Sequence, residues 1–546
     1  MQYDIIIVGF GIVGNTAALL LAKQGLKVAV CESLQKTQMQ KIVKAGRIDR
    51  EVLRIYEQLD LHTALMSICK PLQGAQLLDN KEHILLPIDE QGQDNWDKEN
   101  APMYAFYQPQ MQSILQQSAQ EENLITLYEG CEVNNIEQVP NEGVIVVAYN
   151  KVENKNIVLK GKYLLVCSGA KTPISKLCNI TPVDYNYSGL TLNVETKTKL
   201  PFEKSPYSHT FYHASMPITR ILYASHSQRW EIQLPSNTPK DKVFSKAEVN
   251  ELLLPIMPQE FEVRAIYTHA FSSSALRKWY DDYIIFAGDA AHTMAPYLGL
   301  NLSAGIKDVH NIAWKLALLI KGAAQEKLML SYQIERENSI HYAIKVNTWI
   351  GTIARASRWQ LLRFFMPLVP KSLFKKKMDF STQMQAGVIG NISKYKGRFI
   401  PNFQVLNIQG KKIALSKILG MNFNILALDI NPVDATAVQF IEALAFLKAQ
   451  FFYIKPQSSN FEYDNRYVKY IQDIEGDIEK WLQKQKAKYI IVRPDGIIFD
   501  VLKDYRALNE SLQLLCDKLY LQLPDKPIIE TLDDSDILAE EDDHLY

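Results

Sequence analysis

The stretch Tyr3-Asp4-Ile5-Ile6-Ile7-Val8-Gly9-Phe10-Gly11-Ile12-Val13-Gly14 decides the fold. A short apolar run bounded by glycine reads as a buried strand. Helical periodicity follows from Asn15 to Gln24 and closes at Gly25. A second strand, Lys27-Val28-Ala29-Val30-Cys31, then ends in Glu32. Glycines cluster in turns for many reasons, so a lone GxGxxG is weak. Strand, glycine turn, helix, strand and terminal acid, in that order, are the context of a dinucleotide site. Gly9 permits the tight turn, Gly11 lets the backbone approach a pyrophosphate, and Gly14 lets helix and strand pack closely. The helix N-terminus offers free amides and the positive end of its dipole to the phosphates. Glu32 would accept hydrogen bonds from an adenosine ribose and repel a 2′-phosphate. The expected ligand is therefore FAD or NAD, not NADP.

A distant segment separates the two. Tyr283-Ile284-Ile285-Phe286-Ala287-Gly288-Asp289-Ala290-Ala291-His292-Thr293-Met294-Ala295-Pro296-Tyr297-Leu298-Gly299 reads as a strand and a glycine-containing turn. The helix after it places Ile306, Val309, Ile312, Ala313, Leu316, Leu319 and Ile320 on one stripe. The strand delivers Asp289 at its end, where a carboxylate can accept hydrogen bonds from ribityl hydroxyls. The first helical amides can face an electron-rich ring edge. A plain strand-turn-helix with an Asp cap would look the same in isolation. A second nucleotide-contact element in one chain favours FAD.

The rest of the chain excludes more than it assigns. At 546 residues it is too long for one compact core. Its 60 basic and 60 acidic side chains cancel, which gives no support to nucleic-acid binding. Cys31, Cys69, Cys131, Cys167, Cys178 and Cys516 occur singly, so neither a disulfide scaffold nor a dithiol centre is expected. That usage fits a reducing compartment, and a cytoplasmic location is the expectation. No metal-ligand cluster or nucleophilic triad competes for the chemistry. No secretory signal or membrane-spanning run is expected. The basic, apolar segment 355–377 could touch a membrane surface, although Pro367 and Pro370 interrupt any long helix there. A helix packed on its own protein is the favoured reading of it.

These motifs resemble the single-component FAD-dependent aromatic hydroxylases of the para-hydroxybenzoate hydroxylase type. The nearest branch is that of 3-(3-hydroxyphenyl)propionate hydroxylase and related phenol and polyketide hydroxylases. Further similar pieces are Lys44-Ala45-Gly46-Arg47-Ile48-Asp49, Gln108-Pro109, Arg229-Trp230-Glu231, Tyr332-Gln333-Ile334-Glu335-Arg336 and Val492-Arg493-Pro494-Asp495-Gly496. The resemblance implies an α/β fold: a Rossmann-like FAD-binding domain of the glutathione-reductase-like βαβ kind, an inserted α+β substrate domain, and a C-terminal thioredoxin-like α/β module. The expected boundaries are 1–75, 103–182 and 276–350 for the FAD domain, and 76–102 with 183–275 for the substrate domain. A basic helical connector at 351–395, a thioredoxin-like domain without CxxC at 396–525, and an acidic, disordered tail at 526–546 complete the chain.

Carried over by position, Gly9, Gly11, Gly14 and Glu32 would hold the ADP half of FAD, with Lys44 near the adenosine and pyrophosphate. Gln108 would lie near the flavin or its ribityl chain, and Asp289 would bind the ribityl hydroxyls. Pro296 would sit at the isoalloxazine beside the substrate, and Gly299, Leu300, Asn301 and Leu302 would border its pyrimidine ring. The resemblance implies FAD as bound cofactor, NAD(P)H as transient reductant, and O2 with an aromatic small molecule as substrates. A homodimer is compatible with it. The expected reaction is hydroxylation of a phenolic or polyketide-like aromatic after oxygen adds at the flavin C4a carbon, in a site that excludes water. An acid-base contact to the phenol is expected from Tyr or His. The candidates are Tyr212, His213, Tyr223, Arg229, Tyr267, His269, Tyr297 and His292.

Three segments depart from the family. Lys44 replaces an Arg and loses its bidentate fork. Ser168, in Ser168-Gly169-Ala170-Lys171-Thr172-Pro173, replaces a carboxylate linked to FAD and NAD(P)H handling. The flavin loop reads Gly299-Leu300-Asn301-Leu302-Ser303 in place of the usual Gly-Gln-Gly-x-Asn. Ser168 and Asn301 motivate the alternatives: a flavoprotein of the same fold with drifted oxidase, epoxidase or other oxygenation chemistry, or a non-catalytic flavin-binding scaffold.

Overall fold

The computed structural model describes residues 2–39, 45–78, 83–89, 101–170, 174–200, 207–211, 216–224, 226–257, 260–355, 383–456 and 467–521. Lys44, Tyr212, His213, the stretch 356–382 with most of the basic segment, and the acidic tail lie outside them. The chain forms two compact units, Met1–Ala313 with Arg336–Ser381, and Trp314–Glu335 with Thr382–Tyr546.

In the first unit the opening strand is Gln2–Val8, the helix Ile12–Lys23 and the second strand Val28–Glu32. Gly25, at φ +81°, takes the left-handed conformation that ends the helix cheaply. Gln2–Val8 runs parallel to Val28–Glu32 on one side and to Lys155–Val166 on the other. Ile125–Glu129 and Ile284–Phe286 extend the sheet outward, again in parallel. Both faces are covered, so Ile5, Ile6, Ile7, Leu164, Leu165 and Val166 are fully buried and the strands read as unbroken apolar runs. Burying each such side chain stabilises the fold by about 1.5–3 kcal/mol. Val8 is in register with Cys31 and with Val166, and Val166 with Phe286. The turns beginning at Gly9, Cys167 and Ala287 therefore leave the same edge of the sheet. Carboxyl-terminal strand ends are where open parallel sheets bind ligands.

A second eight-stranded sheet is built mainly on Pro182–Thr198, paired antiparallel with Phe261–Leu276 and with Ser227–Gln233. Ile218–Ala224, Tyr207–Phe211, Gly74–Leu78 and Ile84–Asp89 continue it. One face packs Leu192, Val194, Trp230 and Ile232 against Val249 and Leu253 of the helix Lys246–Leu253. Ser245 and Glu248 close that helix with a capping box. The opposite face carries Thr191, Asn193, Glu195, Arg229, Glu231 and Gln233, all polar and all buried. A three-stranded sheet (Ala45–Asp49, Met103–Tyr107, Cys69–Leu72) brings Leu72, Met103 and Ala105 onto Ile221 and Tyr223.

The second unit holds a mixed seven-stranded sheet, with Asn424–Leu428 parallel to Gln450–Lys455 and antiparallel to Tyr489–Val492. Its core includes an ionic cluster. Arg493 Nη2 is 2.9 Å from Glu335 Oε2 and also meets Asp495, and Lys315 Nζ is 3.0 Å from Glu335. Burial, opposed by Glu335, pushes the Lys315 ammonium down to about 8. Among the described residues no helix is long and apolar enough to cross a membrane.

Candidate active site

The glycine turn has no spare room on one side and open room on the other. A Cβ at Gly14 would lie 1.9 Å from the Gly9 carbonyl oxygen, and Gly9 sits at φ +99° against the backbone of Cys167 and Ser168. A Cβ at Gly11 would meet nothing within 4 Å. The backbone there faces open space at the start of a helix that has no side-chain cap. Glu32 ends the neighbouring strand and shapes the turn: Oε2 accepts from Phe10 N at 2.7 Å and Oε1 from Leu34 N at 2.8 Å. A carboxylate has about four acceptor sites, so ribose hydroxyls can still be accommodated. Gln112 Nε2 donates to the Phe10 carbonyl at 2.6 Å, and half-buried Gln108 opens the same helix, Gln108–Glu121.

The downstream motif meets this turn directly. A Cβ on Gly288 would lie 3.4 Å from the Val13 side chain. Asp289 is exposed and lines a cavity of about 110 Å³ together with Gly169, Ala170, Ser175 and Thr293. Asp308 fixes that turn from within: Oδ2 accepts from Gly288 N at 3.1 Å and from His292 Nε2 at 2.7 Å, while Oδ1 accepts from Arg336 Nε at 2.9 Å. Burial opposes the Asp308 charge, but His292 and Arg336 outweigh it and hold the carboxyl below its usual range. His292 is itself 1% exposed and packs on Trp279, with ring centroids 5.0 Å apart. These are the contacts of a group that positions the Gly288–Asp289 turn.

The loop after it is clamped by Arg47, whose Nη2 donates to the carbonyls of Pro296 at 3.3 Å and Tyr297 at 3.1 Å, and whose Nη1 donates to Ser208 Oγ at 3.0 Å. Gly299, at φ +65°, packs so closely that a Cβ would lie 2.5 Å from Arg47 Nε. Asn301 Nδ2 holds the Met294 carbonyl at 3.0 Å, and Ser303 Oγ accepts from Asp49 N at 3.1 Å. Pro296 and Gly299 are half-buried in this loop, whereas Leu300, Asn301 and Leu302, expected in the loop, are half-buried in the first turn of the helix Leu300–Ile320. The Tyr297 hydroxyl reaches Tyr187 at 2.8 Å and the Gln233 amide oxygen. That contact joins the loop to the buried polar face of the second sheet.

On that face Arg229 Nη2 donates to Asn193 Oδ1 at 2.9 Å, Nε lies 2.8 Å from Glu231 Oε1, and Nη1 donates to the Tyr267 hydroxyl. Tyr107, next to Gln108, stacks on Tyr223 at 5.7 Å. His269 is in register with Thr191 and its carbonyl accepts from the threonine hydroxyl. The structure thus gathers Tyr223, Arg229, Tyr267 and Tyr297 on one surface. The sequence reading missed Glu195 and Tyr107 on this surface, and Asp308 beneath the turn. Tyr107 carried one usable signal, its place immediately before Gln108.

A family model described as "FAD binding domain" matches residues 2–346, and one described as "HcaD C-terminal domain" matches residues 397–517. The 3-(3-hydroxy-phenyl)propionate/3-hydroxycinnamic acid hydroxylase of Escherichia coli (strain K12) is 22% identical over 546 residues, covering 96% of each chain. Among solved structures, the flavin-dependent monooxygenase PieE in complex with FAD and substrate superposes with a TM-score of 0.77 at 14% identity, over 95% of this chain and 99% of that one. Anhydrotetracycline hydroxylase from Streptomyces rimosus gives 0.74 at 19% identity, over 96% of this chain and 100% of that one. The glycine turn with open space at Gly11, the acid at Glu32 and the exposed carboxylate at Asp289 fit the elongated dinucleotide FAD, which PieE holds. With the family model spanning residues 2–346, the chain belongs to the FAD-binding-domain family and is an FAD-binding protein.

Proposed function

We propose that this protein is an FAD-dependent monooxygenase that hydroxylates a phenolic or polyketide-like aromatic, with NAD(P)H as reductant and O2 as oxygen source. The observation that carries the reading is the junction at Tyr297: one residue ties the loop after the Asp289 turn to a buried polar sheet face. Cofactor edge and substrate surface are thereby neighbours. The hydroxylase named above, similar along almost its whole length, supports this reading over drifted chemistry or a non-catalytic scaffold.

In this reading Gly9, Gly11, Gly14 and Glu32 hold the ADP half of FAD, Gln108 and Asp289 the ribityl chain, and Pro296 with Gly299 to Leu302 the isoalloxazine edge. Bound FAD supplies the electron relay and oxygen activation that no side chain can. The residues of the chain do the rest. Asp308, His292 and Arg336 fix the turn that presents Asp289. Arg47 pins the Pro296–Tyr297 carbonyls and so sets the loop against the second sheet. Tyr223, Tyr267 and Tyr297 line the substrate surface, and its burial keeps water from the reacting atoms. The second sheet is the substrate-binding insertion, with boundaries near 76–102 and 183–275. The C-terminal sheet is a thioredoxin-like module without a dithiol. Purified protein loaded with FAD should oxidise NAD(P)H faster when a phenol is added and release a hydroxylated product. NAD(P)H oxidation indifferent to every phenol and aromatic polyketide tried would refute the proposal.

A further inference from the structure

Glu195 lies near the C-terminal end of Pro182–Thr198, opposite Arg229 on one neighbouring strand and Ala265 on the other. Its side chain is 1% exposed; the Tyr223 hydroxyl and the Arg229 guanidinium, 3.6 Å away, are the donors that approach it, and neither makes a hydrogen bond of normal geometry. Folded proteins rarely leave such a group unsatisfied, and each case calls for a donor from elsewhere.

The groups facing it come from every strand packed around it. Asn193, on its own strand, is occupied with Arg229 Nη2. Arg229 and Glu231 stand on Ser227–Gln233, Tyr267 on Phe261–Leu276, Tyr223 on Ile218–Ala224 and Tyr107 on Met103–Tyr107. Arg229 Nε is 2.8 Å from Glu231, whereas its Nη1 lies 3.6 Å from Glu195 and donates to Tyr267. Two carboxylates share one guanidinium, and Glu231 holds the nearer contact. The Tyr223 hydroxyl bonds loosely to Glu195 and favours its charged form. Burial outweighs it and Arg229 together and raises the Glu195 carboxyl to about 7. Beside it the rings of Tyr107 and Tyr223 stack with an interplanar angle of 16°. An aromatic pair beside a carboxylate short of a donor is the chemistry that would receive a hydroxylated ring.

We infer that Glu195 is a catalytic base that accepts the hydroxyl proton of an aromatic substrate seated beside Tyr107 and Tyr223, an assignment that rests on the hydroxylase reading. The substrate O–H bond breaks, the proton bonds to a Glu195 oxygen, and the electron pair stays on the phenolic oxygen. Electron density rises at the ortho and para carbons, where an electrophilic oxygen attacks, and the proton returns to the product oxygen before release. A base that titrates near neutrality is matched to this task.

The test uses the FAD-loaded full chain as wild type, Glu195→Gln and Glu195→Ala. Phenol and its methyl ether, anisole, serve as ligands read by the flavin absorbance change, and NAD(P)H-driven hydroxylation of a phenol is followed against pH. Wild type should bind phenol about tenfold or more tighter than anisole, as a hydrogen bond to a charged group implies. Glu195→Ala should lose that preference. Glu195→Gln, which keeps shape and an acceptor, should hold phenol within a few fold yet lower kcat by about 10²–10⁴ and lose the acid limb of the pH profile. Equal binding of phenol and anisole by wild type, or an unchanged kcat and pH profile in Glu195→Gln, overturns the inference while leaving the hydroxylase reading intact. If no phenol is hydroxylated but the phenol preference still disappears in Glu195→Ala, Glu195 stands as the hydroxyl acceptor and the hydroxylase reading fails.

Discussion

Replacing Gly11 by alanine separates cofactor binding from folding. The position has φ −66° and ψ −176°, ordinary extended backbone for any residue, and the added methyl would meet no protein atom within 4 Å. Two small effects act on the fold. Alanine is a poorer N-cap than glycine, while it also lowers the entropy of the unfolded chain by about 0.4–1 kcal/mol. They oppose each other, so the folding free energy of the FAD-free protein should stay within about 1 kcal/mol of wild type. The pyrophosphate is another matter, because the proposed site brings it onto this backbone. Forcing a methyl into a close-packed contact costs about 1–3 kcal/mol. That range converts to a loss of FAD affinity between about 5-fold and 150-fold. Gly14→Ala is the contrast: its methyl would lie 1.9 Å from the Gly9 oxygen, so the turn itself must open and stability must fall. FAD titration of the stripped protein by flavin fluorescence, beside thermal melts, reads both quantities. Wild-type FAD affinity in Gly11→Ala would show that the pyrophosphate does not approach this turn.

Further outcomes follow from the same contacts. Asp289→Ala should weaken FAD retention; unchanged flavin content after gel filtration would remove it from the ribityl contact. Asp308→Asn leaves Arg336 and His292 without their carboxylate and should cost about 3–5 kcal/mol in a urea titration, with FAD loss following from the disordered turn. Burial raises the Glu195 carboxyl to about 7 in the fold from 4.5 in the unfolded chain, so it stabilises the fold fully below about pH 4.5 and the contribution is lost as pH rises through 7. The difference is on the order of 3 kcal/mol. Glu195→Gln should flatten that slope; an equally steep fall in the variant would show that other groups cause it.

The nucleotide edge was legible because its causes are local. Gly9, Gly11 and Gly14 are demanded by backbone geometry, and the buried strands announce themselves as runs such as Ile5-Ile6-Ile7. The meeting of Gly288 with Val13 could be expected only because each segment carried its own motif. Glu195 was not legible for the opposite reason. In Thr191-Leu192-Asn193-Val194-Glu195 the alternation reads as core facing one way and solvent facing the other. A three-stranded sheet covers the polar side, and nothing local in the run tells a covered polar face from a wet one. Asp308 was hidden in the same way, as a polar residue inside an apolar helix whose partners, His292 and Arg336, come from separate elements.

The most direct measurement of the central claim is the flavin content of the purified full-length chain, with the tightness of its rebinding after stripping. The converging strand ends predict a yellow protein carrying about one FAD per chain, released by denaturation and taken up again on titration. A colourless protein that ignores FAD at saturating concentration would contradict the account.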